Sequence, residues 1–382
     1  MKSPLLEHAL ALAPRLRAAA PVHETMRRVS PELGAELGAR GYFRMLAPRV
    51  RGGLEARPTE LVAVLEALAL GDAATAWCVM TAATTSYLAA YLPAEGAARM
   101  LADPAAGYCG VFAPAGRATP IAGGYRLTGR WPFASGCELA SWRMGGALVM
   151  TPEGPRRTPA GAVELRLMLF PAAASRVIDT WTVAGLQGTG SHDIAVDDLD
   201  VPEDMTTCLA LDAPVAGDLY KFPIFGLLAD GVAAVALGIG RAAIDAFRQQ
   251  IEAPRRSTGK PRALDSSVQV ELVRAEAELR AARALLFETL ADVEEAAQQE
   301  GSISLERRAL LRMSATHATR AAARVVDALY LAAGGAAVYA RSPLQRHLRD
   351  VHTITQHIMV APGGERLIGR ALLGLAGDYG EL

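Results

Sequence analysis

Cysteine is scarce, and the four present (Cys78, Cys109, Cys137 and Cys208) lie far apart with no metal-ligand spacing. That excludes a disulfide framework and a zinc site, and a reducing cytoplasm is the expectation. Neither sign of charge is in excess. With 39 basic and 40 acidic residues the formal net charge is −1, so nothing electrostatic favours nucleic acid or an anionic membrane as partner. Long apolar runs are also missing. The longest, Gly231–Gly240, is bounded by Asp230 and Arg241 and is about half of what a bilayer crossing needs. Met1–Ala20 scatters Glu7, His8, Arg15 and Arg17 among its apolar positions, unlike a signal peptide. The expectation is a soluble protein.

What the chain has is alanine, glycine and length. Hydrophobic residues reach 51%, with 36 Gly and 22 Pro, and 382 residues exceed one hydrophobic core. Residues 1–107 read as helical. Pro31–Gly41 and Glu60–Leu70 repeat apolar residues at helical spacing, Thr59 is a candidate N-cap, and a third helix runs from Ala73 towards Tyr91. From Tyr108 the pattern changes to short β-rich runs divided by Gly and Pro: Tyr125–Trp131, Ala147–Met150, Val163–Phe170, Val177–Val183 and Asp193–Val201. These indicate a barrel or sandwich over 108–215. Over 216–382 helices return: Ile224–Ile251, then Ser266–Gln299 with an apolar seam from Val268 to Val293, one capped by Ser304, and one from Pro343 to about Val360. The fold class is α+β, mainly α: a helical N-terminal domain, a central β-domain and a C-terminal four-helix bundle.

Several stretches carry candidate chemistry. In Gly129–Gly136, Trp131 and Phe133 alternate at strand spacing before Ser135 and Gly136. Such a segment suits a flat, hydrogen-bonding ring, or is a core strand ending in a turn. Gly185–Ser191 offers backbone N–H groups and the Thr189 and Ser191 hydroxyls, either for a phosphate or heteroaromatic edge or as an ordinary turn. The helix from Ala73 carries Trp77 and the hydroxyls Thr81, Thr84, Thr85 and Ser86, which border a cavity or permit close packing. Gly238-Ile239-Gly240 followed by Ala243 matches a relaxed dinucleotide fingerprint, but it lies within a helical pattern and has no strand before it. The glycines are read instead as helix-contact residues. His347, His352 and His357 fall within eleven residues. The five-residue step from His352 to His357 does not pair metal ligands on a helix, so no metal is expected. A single histidine there is structural or an acid–base group.

In this order and spacing, Gly41–Gly53, Asp72–Trp77, Tyr125–Gly136, Gly185–Ser191 leading to Val201-Pro202-Glu203, and Gly334-Gly335 followed by Pro343–His357 resemble the acyl-CoA dehydrogenase fold. More narrowly they resemble its monooxygenase branch, the oxygenase components of two-component flavin hydroxylases. The resemblance implies a homotetramer with flavin between the β-domain and the bundle. By position, Ser135 falls at the flavin ring, with Trp131, Phe133 and Gly136 forming a wall, and Thr189, Gly190 and Ser191 match a second flavin loop. Arg255, Ser257, Gly334 and Gly335 occupy places that meet flavin phosphate, often from a neighbouring subunit. His357 matches a histidine over the ring, and Trp77, Thr81, Thr85, His352 and Gln356 border the substrate. Thr85 stands where some hydroxylases carry a second histidine.

The dehydrogenase branch needs a carboxylate base, and between Asp350 and Glu365 there is no acid. Asp230 is the alternative base for an acyl-CoA desaturase. The expectation is therefore an oxygenase taking FADH2 or FMNH2 from a separate NAD(P)H:flavin reductase. It would bind O2 as a flavin C4a-hydroperoxide and oxygenate a small aromatic or polyketide-like substrate. His357 and Ser135 would be its catalytic residues.

Overall fold

Ser3 and Ser30 each precede a proline, and in the computed structural model each caps a helix by accepting a backbone N–H at 3.3 Å: α1 (Pro4–Met26) and α2 (Pro31–Ala39). The structure describes residues 3–254, 260–380 and 382. α3 (Pro58–Ala69), α4 (Ala73–Ser86) and α5 (Ala94–Met100) complete the N-terminal helices. Thr59 is not the cap of α3. Arg57 holds that position before Pro58, and the Thr59 N–H is taken by Glu294 of the distant bundle.

Eight strands follow: β1 (Tyr108–Ile121), β2 (Gly124–Trp131), β3 (Trp142–Thr151), β4 (Gly154–Pro155), β5 (Leu165–Pro171), β6 (Arg176–Ile178), β7 (Asp193–Pro202) and β8 (Thr206–Thr207). They form one sheet in the order β6-β7-β2-β1-β3-β5-β8, with β4 on β3; only β1 and β3 pair in parallel. β5 and β7, three strands apart in that path, also approach each other, so the sheet curls. Its hollow is filled by Trp131, which is 0% exposed and donates Nε1–H to the Gly146 carbonyl at 2.8 Å. Gly116, Gly129 and Gly145 make the room, since a Cβ on any of them would lie within 2.6 Å of the indole. Trp131 is therefore core and not a wall for a cofactor. It was paired with Phe133 on strand parity, but Phe133 lies beyond the strand end at φ 63° and is 70% exposed.

The C-terminal helices are α6 (Ile224–Glu252), α7 (Ser266–Gln299), α8 (Leu305–Ala333), α9 (Pro343–Thr355) and α10 (Gly363–Leu372). α6 is the central helix. It and the stretch Leu305–Val338 are long and apolar enough to cross a membrane by length and composition, but 94% of the α6 window is buried inside the protein. Gly238 lets α6 approach α3, where a Cβ would lie 2.5 Å from that of Ala69, so these glycines serve helix contact. α9 ends five residues earlier than the periodicity suggests. Thr353, Ile354 and Thr355 are β-branched in succession, and both threonine hydroxyls bond back to helix carbonyls. Thus His357 stands just past the helix. One hydrophobic core runs through all three blocks, and a small satellite around Ile368 and Ala371 holds α10.

Candidate functional site

The site begins at the first turn of α4. Asp72 accepts from the N–H groups of Ala74 and Thr75 and from the Thr75 hydroxyl at 2.6 Å, while His23 of α1 meets its carboxylate at 2.8 Å. Both His23 and Asp72 are buried. This fixed cap aims Trp77, one turn further on, at the bend that follows β2. There Trp77 Nε1–H donates to Ser135 Oγ at 3.0 Å. Ser135 Oγ lies 2.7 Å from Ser191 Oγ, which lies 2.7 Å from Thr189 Oγ1, and Thr189 donates to the Leu186 carbonyl at 2.8 Å.

The chemistry of the two ends gives this chain a direction. An indole N–H can only donate and a carbonyl can only accept. Thr189 spends its hydrogen on Leu186, so Ser191 donates to Thr189 and Ser135 donates to Ser191. Every hydroxyl proton is committed.

The loop carrying Thr189 and Ser191 is held from several sides. Leu186 and Gly190 are left-handed, at φ 53° and 52°. The Gly136 N–H donates to the Thr189 carbonyl at 2.8 Å. The Cys78 and Cys137 thiols donate to the carbonyls of Thr189 and Gly190 at 3.6 and 3.4 Å, and burial pushes both thiols up in pKa. Trp181 donates to the Leu186 carbonyl at 3.0 Å, and Phe133 stands edge-on to Trp181 with ring centroids 6.1 Å apart.

His357 meets this assembly through Trp77, with ring centroids 5.4 Å apart at 76°. Its Nδ1 accepts the Met359 N–H at 3.3 Å, so the neutral ring carries its proton on Nε2. Arg312 of α8 donates to the Met359 and Ile358 carbonyls. Burial first, and the Arg312 charge second, lower the His357 pKa to about 4, leaving the imidazole neutral at pH 7.

Other expected residues lie elsewhere. Thr85 is 1% exposed, donates to the Thr81 carbonyl at 2.7 Å and packs on Gly110, where a Cβ would lie 2.5 Å from its oxygen; it is a packing residue and borders no substrate. Thr81 is half-buried one turn from Trp77. His352 is exposed and turned to Asp327 at 2.7 Å, and the Gln356 amide donates to Thr355, so neither joins the Trp77–His357 cluster. Gly334 and Gly335 form a turn at the far end of α8, about 33 Å from Arg312 at 1.5 Å per residue. A single chain does not bring them to the same ring. Arg255 and Ser257 lie outside the described residues.

Asp230 is fully buried, both carboxylate oxygens lack a hydrogen-bond partner, and burial raises its pKa far above the carboxylate range. A neutral acid sealed in the core is not a base for an entering thioester. Of two further residues with a part in the site, Asp72 carries a sequence signal, since Asp72 with Thr75 is an Asp-x-x-Thr helix cap; Asp350, which accepts the Leu186 N–H, carries none.

Three buried hydroxyls, with the loop backbone beside them and no charged group in their run, form a donor–acceptor set suited to the polar edge of a neutral tricyclic ring. A cleft of about 430 Å³ lined by Arg27, Arg28, Glu138, Asp179 and His192 suits it less, because Arg27–Asp179 and Arg28–Glu138 are already paired.

Residues 231–362 match the family model for the acyl-CoA dehydrogenase C-terminal domain. The chain is 31% identical to indole-3-acetate monooxygenase of Pseudomonas putida over 87% of its own length and 84% of the relative's. It is 30% identical to the oxygenase component of the FADH(2)-dependent resorcinol hydroxylase of Rhizobium sp., over 95% of its length and 92% of the relative's. Among solved structures, XiaF from Streptomyces sp. in complex with FADH2 and glycerol superposes with a TM-score of 0.87 at 26% identity, covering 97% of this chain and 95% of the other.

Proposed function

Because this chain belongs to the flavin-dependent monooxygenases built on the acyl-CoA dehydrogenase fold, as an oxygenase component that uses reduced flavin, we propose that its flavin ring lies against the Ser135–Ser191–Thr189 hydroxyls, between the sheet and the bundle. Gly136, Gly190 and the exposed Phe133 border the ring. The Gly334-Gly335 turn of a neighbouring subunit approaches the phosphates. FADH2 is the preferred form, supported by the FADH2 dependence in the name of the resorcinol hydroxylase and by the FADH2 bound in XiaF. A separate NAD(P)H:flavin reductase supplies it. When bound, reduced flavin supplies the electrons and the place where O2 is activated.

The protein's own groups do the rest. Ser135 turns its hydroxyl from Ser191 to the ring while the Trp77 indole N–H stays on its oxygen. His357 faces the substrate with a proton on Nε2 and offers that N–H as a hydrogen bond to oxygen. Acting as a base requires the Met359 N–H to leave Nδ1. Apolar faces of α4 and α6 keep water from the reacting atoms. The substrate is a small neutral aromatic molecule held by Trp77, Thr81 and His357. The two relatives, named for an indole acid and a dihydroxybenzene, support an aromatic ring.

The observation that carries this reading is the directed hydroxyl chain ending at an indole that touches a neutral imidazole. It is tested by anaerobic titration with FADH2 and FMNH2, followed by an oxygen pulse and assay of product and hydrogen peroxide. His357→Ala is expected to keep the reduced-flavin affinity while oxygen uptake diverts to peroxide. Unchanged coupling removes His357 from the scheme.

Exposed apolar side chains at Leu264, Val273, Leu331 and Val338, each at least 68% exposed, support a homotetramer. Four free cysteines fit a cytoplasmic location.

A further inference from the structure

We propose that Asp350 is a positioning residue for the flavin loop: it holds Leu186 in the left-handed conformation from which Thr189 and Ser191 are aimed. The inference rests on the reading of Gly185–Ser191 as a flavin loop. Leu186 is the one non-glycine residue of that loop at positive φ, at 53°, a conformation that persists only where surroundings enforce it. It is also 4% exposed. Four bonds converge on its backbone. Its N–H donates to Asp350 Oδ1 at 2.6 Å, and its carbonyl accepts from the Thr189 hydroxyl at 2.8 Å, the Thr189 N–H at 3.1 Å and Trp181 at 3.0 Å. Of the four, only the Asp350 bond comes from the bundle; the other three come from the loop's own neighbourhood.

The neighbouring residues make this seam close-fitting. A Cβ on Gly185 would lie 2.1 Å from the Arg349 carbonyl oxygen, and Arg349 donates to the Ala184 carbonyl at 2.6 Å. α9 therefore presses on the loop at Ala184, Gly185 and Leu186 in succession. The hydroxyl chain starts from that anchor: Leu186 places Thr189, Thr189 places Ser191, and Ser191 places Ser135. Asp350 touches none of the reacting groups.

The anchor also titrates. Asp350 is buried, and burial pushes its carboxyl up to about 7 against the opposing pull of the Leu186 N–H, Arg346 and Arg349. Asp72, paired with His23 of α1, adds to the upward push. Arg349 is itself turned to Glu24 of α1. His347, next on α9, is held neutral by burial and by Arg346 and Arg17, at about 3. Lifting the loop would hydrate Asp350 and return it towards the ordinary aspartate range. The closed loop thus binds a proton that the open loop releases, and the stability of closure is lost as pH rises from about 4 through about 7. Above 7 no further change is expected.

Amide hydrogen exchange over 184–192 on the full, ligand-free chain tests this, with intrinsic rates corrected for pH. In the wild type, protection at Leu186–Thr189 should fall about thirtyfold between pH 5.5 and 8. Asp350→Asn, a neutral acceptor at every pH, should stay flat at the protected level. Asp350→Ala should expose the loop throughout and weaken FADH2 binding about tenfold, the loss of one buried bond to a charged or strongly polar group. The wild-type pH series needs no variant to fold. A flat wild-type profile, equal profiles in wild type and Asp350→Asn, or an unaltered loop in Asp350→Ala overturns the proposal. If the loop behaves as expected but added FADH2 protects another segment, the flavin reading fails while the hold on Leu186 stands. A merely structural carboxyl would show no midpoint near neutrality.

Discussion

Trp77 has one hydrogen to give and no atom with which to accept, so Ser135 meets it with an oxygen lone pair and keeps its own hydrogen for Ser191. Substituting Trp77→Phe keeps an aromatic ring against His357 but removes the donor to Ser135. Thr189 still gives its hydrogen to Leu186, so the hydroxyls keep their direction, but the Ser135 oxygen loses the bond that holds it in place. Reduced-flavin affinity should fall about three- to tenfold, the worth of roughly one neutral hydrogen bond, read by anaerobic fluorescence titration. Coupling should fall with it, because a Ser135 held by one bond fewer is a poorer partner for the ring. Wild-type affinity in Trp77→Phe would show that this donor does not matter. His357 belongs to the same scale. Its low pKa follows from burial and Arg312, so loss of activity through its protonation belongs near pH 4, below the usual histidine range.

At the scale of elements, glycines decide which surfaces meet. Gly238→Ala forces a Cβ to 2.5 Å from Ala69 and 2.6 Å from the Glu66 carbonyl. The overpacking should cost about 1–3 kcal/mol, seen as a lower unfolding temperature with flavin affinity intact. Gly335→Ala, with nothing within 4 Å in the single chain, should leave the unfolding temperature unchanged. Equal effects of the two would refute close α3–α6 contact as the role of the Gly238 pair. These contacts explain what the sequence made legible. The seam on α7 from Val268 to Val293 is periodic, and the helix forms over the residues expected, Ser266–Gln299. The helix–strand–helix order followed from Gly and Pro punctuation. β1 was missed because Pro114 and Pro120 argue against a strand and because its register shifts between Val111 and Gly116. Ser135, Thr189 and Ser191 were picked out by type and position and do meet in space. Trp131 and Thr85 were misplaced because parity and helical phase give a direction, not what waits there: a hollow sheet for one, β1 for the other. Asp350 is not legible in the sequence, since nothing local ties it to a loop 164 residues away.

At the scale of the whole molecule, the single chain leaves apolar side chains uncovered at one end of the bundle, where the start of α7 meets the end of α8. Leu331 is 77% and Val273 68% exposed. A charge at either place, Leu331→Glu or Val273→Glu, should leave the monomer's fold intact, since neither side chain is buried in it. Light scattering should then report a smaller assembly than for the wild type. If the phosphate end of the cofactor reaches across to a neighbour's Gly334-Gly335 turn, flavin affinity should fall with the mass. A tetramer of unchanged mass in both variants would locate the interface elsewhere. The sulfur inventory bears on the life of such an assembly. All four thiols are buried, and burial holds each in its protonated form. Peroxide attacks the thiolate, not the thiol. A catalyst that spills oxidant at every failed turnover thus keeps its most oxidisable atoms out of reach of its own by-product, and wears out at some other residue first.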